Sequence, residues 1–133
     1  MLKPILVAAL MALANQVQSA DTPAAAPVDA EMQRARALIS QKNWPAAVVV
    51  LEPYVVTKPK SADGFNLLGY SYRNLKRLDE ALVAYKTALS LDPAHRGAHE
   101  YIGMAYLQLG QMDKAREHLG TLDKLCRFSC EEY

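Results

Sequence analysis

Residues 62–95 read ADGFNLLGYSYRNLKRLDEALVAYKTALSLDPAH, and they hold two helical patterns in succession. Phe65, Leu68, Gly69 and Tyr72 fall at i, i+3, i+4 and i+7, which is one face of a helix. Ala81, Tyr85 and Ala88 mark a face on a second run. Asp79 and Glu80 stand at the start of that run, where carboxylates favour the positive end of a helix. Asp92-Pro93 closes the stretch, because proline disfavours helix in the residue before it. From about Asp29 onward no strand-like alternation interrupts this helical character.

The same landmarks return along the chain. Gly69 and Gly103 are 34 residues apart, as are Tyr72 and Tyr106. Ala47, Ala81 and Ala115 are spaced by 34 twice over, and Pro59 and Pro93 by 34 once. A period of 34 with glycine, tyrosine, alanine and proline at fixed places marks a repeated helix–turn–helix unit. Glycines and alanines at these places lack bulk, so neighbouring helices can approach closely there.

On these residues the chain resembles the tetratricopeptide repeat family. The middle unit carries the resemblance: Phe65, Leu68, Gly69 and Tyr72 on its first helix, Ala81, Tyr85, Ala88 and Pro93 on its second. The third unit keeps Ile102, Gly103, Tyr106 and Ala115. It puts His99 at the first aromatic place and Arg127 where proline would close it. The first unit is worn, with Ala35 at the glycine place and Leu38 at the tyrosine place, but it keeps Ala47, Leu51 and Pro59. The resemblance covers about residues 28–127 and implies an all-α fold, a right-handed superhelix of three hairpins, with units near 28–61, 62–95 and 96–127. Helices are expected at 29–41, 45–57, 62–75, 79–91, 96–109 and 113–125. Pro45 can open the second of these, where its missing N–H costs nothing. Pro53, further along, is expected to kink or end it. Gly110 sits where a left-handed cap would end a helix. Lys42 and Lys76 hold the matching places, so those turns carry no glycine signal.

Upstream, residues 1–20 stand apart. Lys3 is their only charge, Ile5 to Ala14 is apolar, and small and polar residues lead to Ala20. That is the pattern of a secretory signal peptide. The apolar run is about half the ~20 residues that span a bilayer. No stable membrane anchor is expected once the segment is cleaved. Residues 21–28, rich in alanine and proline, read as a linker before a repeat domain at 29–133. A periplasmic or secreted location follows as the expectation. Removing residues 1–20 leaves basic and acidic side chains in balance. With no concentrated positive surface, nucleic-acid binding is set aside.

Cys126 and Cys130 are the only cysteines. In an exported protein such a close pair is expected to form a disulfide that ties off the C-terminus. They are not a Cys-x-x-Cys redox motif, and no second pair of zinc ligands lies near. His95 and His99, four apart, could share a helix face, but His99 reads better as a packing residue and His95 as a turn residue. No catalytic constellation, metal set or cofactor motif emerges, and an enzyme is not expected.

The resemblance implies that the first helices of successive units line a concave groove that accepts peptides. Outside the core positions those helices carry Met32, Arg36, Asn66, Tyr70, Arg73, Asn74, Glu100, Met104, Leu107 and Gln108. These residue types suit a protein partner, offering flat apolar area, planar donors and adaptable fill. Asn66, Tyr70, Arg73, Asn74, Glu100, Met104 and Gln108 are the candidate contacts for another protein or peptide. The competing expectation is a self-associating structural protein, a homodimer formed through the last helix. That helix carries Leu119, Leu122 and Leu125 near the end of the chain.

Overall fold

The structure, a computed structural model, describes residues 29–127. The expected signal segment, the linker and Cys130 lie outside the described residues. Six helices follow one another: α1 (Ala30–Ser40), α2 (Trp44–Thr57), α3 (Ala62–Asn74), α4 (Leu78–Leu91), α5 (Arg96–Gln108) and α6 (Met112–Cys126). Among the described residues there is no strand.

Local chemistry sets the starts. The side chains of Asp29, Asn43 and Ser61 accept hydrogen bonds from the backbone N–H of Met32, Ala46 and Gly64, capping α1, α2 and α3. His95 does the same for α5 with its ring nitrogen, accepting from Ala98. The ends of the first helices are built alike. Lys42, Lys76 and Gly110 all take positive φ, at 56°, 63° and 71°. Asn43, Arg77 and Gln111 then return their N–H groups to the carbonyls of Leu38, Tyr72 and Tyr106, each at 2.9 Å. This is the Schellman closure, made twice without glycine.

Pro53 does not end α2, which continues to Thr57. Its side chain is exposed, as is that of Val49, whose carbonyl the missing N–H would have bonded. An exposed carbonyl can turn to water, so the helix tolerates the loss.

The hairpins stack through small residues. Ala35, Ala47, Ala81 and Ala115 are fully buried. Tyr85 is also fully buried, and its ring lies against Gly69. Tyr72 is buried as expected, but its hydroxyl reaches back a unit and donates to Glu52 of α2. Burial, and then Glu52, push that phenol up to about 12. The first and second hairpins are therefore joined by a hydrogen bond as well as by packing.

α1 packs on α3 and α3 on α5, whereas α2, α4 and α6 make no such contacts with one another. The first helices thus crowd together and the second helices splay apart. The stack curves with α1, α3 and α5 on its inner side.

Candidate functional site

The inner face is organised around α3. Asn66, Tyr70 and Arg73 lie at i, i+4 and i+7, a single stripe. Tyr70 sits in an aromatic row that crosses all three hairpins. Its ring centroid is 5.6 Å from that of Trp44 and 4.8 Å from that of Tyr101. Tyr101 in turn lies 6.3 Å from Tyr85. Arg73 stands beside this row, its guanidinium 5.4 Å from the Tyr70 ring centre and 5.9 Å from that of Tyr101. A cation facing two aromatic rings is attracted by their quadrupoles.

The stripe is less open than its sequence suggests. Asn66 and Arg73 are 6% and 8% exposed, and Tyr70 is half-buried. Asn66 packs on α5: a Cβ at Gly97 would come within 3.1 Å of its Nδ2. Among the described residues, three buried polar atoms here have no hydrogen-bond partner, namely Asn66 Oδ1, Arg73 Nε and Tyr85 Oη. Burial pushes the Tyr85 phenol well up, while the nearby positive charge of Arg73 works in the opposite direction.

The other expected contacts divide. Asn74 spends its amide on its own helix, donating to the Tyr70 carbonyl at 2.8 Å. Glu100 is half-buried; Met104, Leu107 and Gln108 are exposed further along α5. Met32 leans into the core. Arg36 pairs with Asp63 at 3.6 Å, and Asp63 also accepts from His95 Nε2 at 2.8 Å. The structure brings Asn66, Tyr70 and Arg73 together and leaves Met104 and Gln108 as an outer rim. Sequence reasoning missed Trp44, Tyr85 and Tyr101. Trp44, the one tryptophan, was a signal worth following. Tyr85 and Tyr101 reach this site only because two further helices bring them there.

At the far end His99 is buried and donates from Nε2 to the Pro93 carbonyl at 2.8 Å. Its Nδ1 lies 3.1 Å from Nδ1 of His118 on α6, and the His118 ring stacks on Tyr106. His99 is thus a packing residue whose partner is His118, not His95. Cys126 is half-buried as the last residue of α6; the expected bond to Cys130 lies outside the described residues.

Tetratricopeptide repeat models match residues 62–95 and 101–127. Protein bimA of Emericella nidulans is 33% identical over 67 residues, half of this chain and 8% of that protein. MamA from Desulfovibrio magneticus RS-1 superposes with a TM-score of 0.71 at 26% identity, covering 76% of this chain and 57% of that one. The second TPR of Spaghetti (RPAP3), solved with the HSP90 peptide SRMEEVD, superposes with a TM-score of 0.69. It is 19% identical, over 71% of this chain and 88% of that one, so it speaks to the fold alone. This chain therefore spans only part of the MamA and bimA proteins. With the repeat models on its second and third hairpins and the same architecture in its neighbours, the chain belongs to the tetratricopeptide repeat family.

Proposed function

We propose that this chain is a non-catalytic interaction module that holds a polypeptide along the face of α1, α3 and α5, in an exported compartment. The observation that carries the reading is the aromatic row Trp44–Tyr70–Tyr101 laid across three hairpins beside Arg73. Rigid aromatics and arginine are the residue types that dominate protein interfaces. Met104 and Leu107, 40% and 43% exposed on the same helix as Tyr101, extend the row with adaptable apolar surface. That a chain of this fold, the second TPR of Spaghetti, holds a peptide supports the same use of the groove here. Export is supported by Lys3 and the apolar run from Ile5 to Ala14.

Photo-crosslinking tests the groove. A benzoyl-phenylalanine at position 104 or 107 should capture a polypeptide from the exported fraction. The same probe at Val49 or Val83, exposed on the second helices, should not. Equal capture at both sets of positions overturns the groove reading. For export, the soluble protein should begin between Ala20 and Asp29; an intact Met1 on soluble cytoplasmic protein overturns it.

The alternative is self-association through α6. Met112 and Leu119, 49% and 38% exposed, favour it. Light scattering decides: a dimer that Leu119→Glu dissolves would establish this reading.

A further inference from the structure

We infer that the outer side of the middle unit, away from the groove, carries a small-molecule site: a cleft over Tyr72 that takes a flat aromatic ring bearing a cationic arm. The site is independent of whatever occupies the groove.

A cleft of about 360 Å³ opens between α3 and α4. Its size and its apolar walls are those of small-ligand pockets. Phe65, Leu68 and Tyr72 line it from α3, and Val83 and Ala84 from α4. The hydroxyls within it are already spent. Thr87 donates to the Val83 carbonyl at 2.9 Å, and Tyr72 donates to Glu52 of α2. What the walls offer an occupant is therefore apolar surface.

The third unit shows what belongs in such a space. Shifted by 34 residues, Phe65, Tyr72 and Ala84 become His99, Tyr106 and His118. The helices keep the same register, since α4 begins at Leu78 and α6 at Met112. There the His118 ring occupies the space itself. It stacks on Tyr106, with centroids 5.7 Å apart and planes 19° from parallel, and meets His99 at 3.1 Å. In the middle unit Ala84 stops at a methyl group and leaves the space over Tyr72 open. The piece that is missing is a planar ring.

Charge at the mouth sets the rest of the ligand. Asp79 and Glu80 stand there. Glu80 is engaged by Arg77 at 2.9 and 2.7 Å, and the Arg77 guanidinium lies over the Tyr72 ring at 4.5 Å. That pair cancels. Asp79 remains, with Glu52 beyond the Tyr72 hydroxyl, and neither forms an ion pair among the described residues. The third unit again supplies its own partner. Asp113, at the place of Asp79, pairs with Arg116 at 3.3 Å, whereas the middle unit has Leu82 at the place of Arg116. An anionic ring would be repelled by the carboxylates, and a neutral one would leave them unmet. An aromatic amine meets both the apolar walls and the acids. The cleft is confined to one hairpin, so a compact molecule reaches all of these contacts without an extended chain.

The probe is tryptamine, titrated into the isotope-labelled full chain and followed by amide NMR shifts. Saturable shifts are expected, centred on Leu68, Tyr72, Val83 and Ala84. Three matched compounds separate the contributions. Ethylindole removes the charge, indolepropionate reverses it, and cyclohexylethylamine removes the flat ring. Each should bind about threefold or more weaker than tryptamine. Ala84→His, which copies His118, should abolish the shifts. Asp79→Asn should erase the preference for tryptamine over ethylindole. The ligand-side comparisons need no protein variant, so they stand even if Ala84→His unfolds. An absence of saturable shifts overturns the assignment, as do shifts centred on Trp44 and Tyr101 in the groove. Equal affinity for tryptamine and indolepropionate, or binding that survives in folded Ala84→His, overturns it too. If an acetylated Trp-Lys amide binds the cleft where tryptamine fails, the small-molecule site is wrong and the cleft belongs to a polypeptide.

Discussion

The Tyr85 ring occupies the space that a side chain at Gly69 would need, with two ring carbons 2.7 Å from where its Cβ would stand. Real contacts at that position do not come so close, so one group must move. Tyr85 is fully buried and cannot swing aside. Gly69→Ala should therefore lower stability by about 1–3 kcal/mol, and Gly69→Leu by more, in urea unfolding. Adding Tyr85→Leu should return part of the loss, since the two sites share one space. A Gly69→Leu protein that unfolds with the wild type would show the α3–α4 crossing to be misplaced.

Lys42 and Lys76 hold the left-handed place that Gly110 holds in the third unit. A lysine Cβ crowds the carbonyl there, at a cost of about 1–2 kcal/mol, while glycine has no such clash. Glycine also has more freedom to lose on folding, which offsets part of the gain. Lys76→Gly should be stabilising by up to about 1 kcal/mol in thermal unfolding. Gly110→Ala should be destabilising by a similar amount, and a reversed order of the two variants would contradict the closure described above.

His118 carries a pH dependence. Burial, then the neighbouring His99, hold its pKa below the ordinary 6.5; Glu117 opposes this and Lys86 reinforces it. The unfolded chain therefore takes up this proton at higher pH than the folded one. The associated stability is present above pH 6.5 and falls as the solution is acidified below it. His118→Gln should flatten the melting-temperature profile between neutral and mildly acidic pH. An unchanged profile would mean that the α5–α6 histidine pair does not form.

Asp29 ties the first hairpin together. It accepts from Lys58, from the Tyr54 hydroxyl and from the Met32 N–H. Those bonds, with Lys58 foremost, draw its carboxyl down to about 2. A depressed carboxyl contributes stability above its ordinary 3.8 that is lost as pH falls through about 2. Asp29→Ala should lower the melting temperature and speed hydrogen exchange at the Met32 amide. Slow exchange there in the variant would show that the cap is dispensable.

Much of this architecture was legible beforehand because its signals are local. Six helices stand within a residue or two of their expected spans, since apolar spacing and capping side chains act within a few turns. That Pro53 does not end α2 could not be read locally, since it depended on whether Val49 faced water, a matter of packing. The groove was legible only in outline. Tyr70 and Met104 could be placed on the inner side through the family resemblance, but Asn74 could not be seen to bond its own helix.

What the sequence by itself determined, then, is the unit and its repetition. The period of 34, the small residues at the crossings and the paired helical faces suffice to specify hairpins that must stack to bury a core. What only the tertiary structure decided is the character of the groove. Arg73 reads as a surface residue in its own helix. It becomes a buried charge, with no carboxylate in ion-pairing range among the described residues, because Tyr101 arrives on α5 and Tyr85 on α4. Burial is a property of neighbours that are distant in the chain, and no local pattern around Arg73 encodes it.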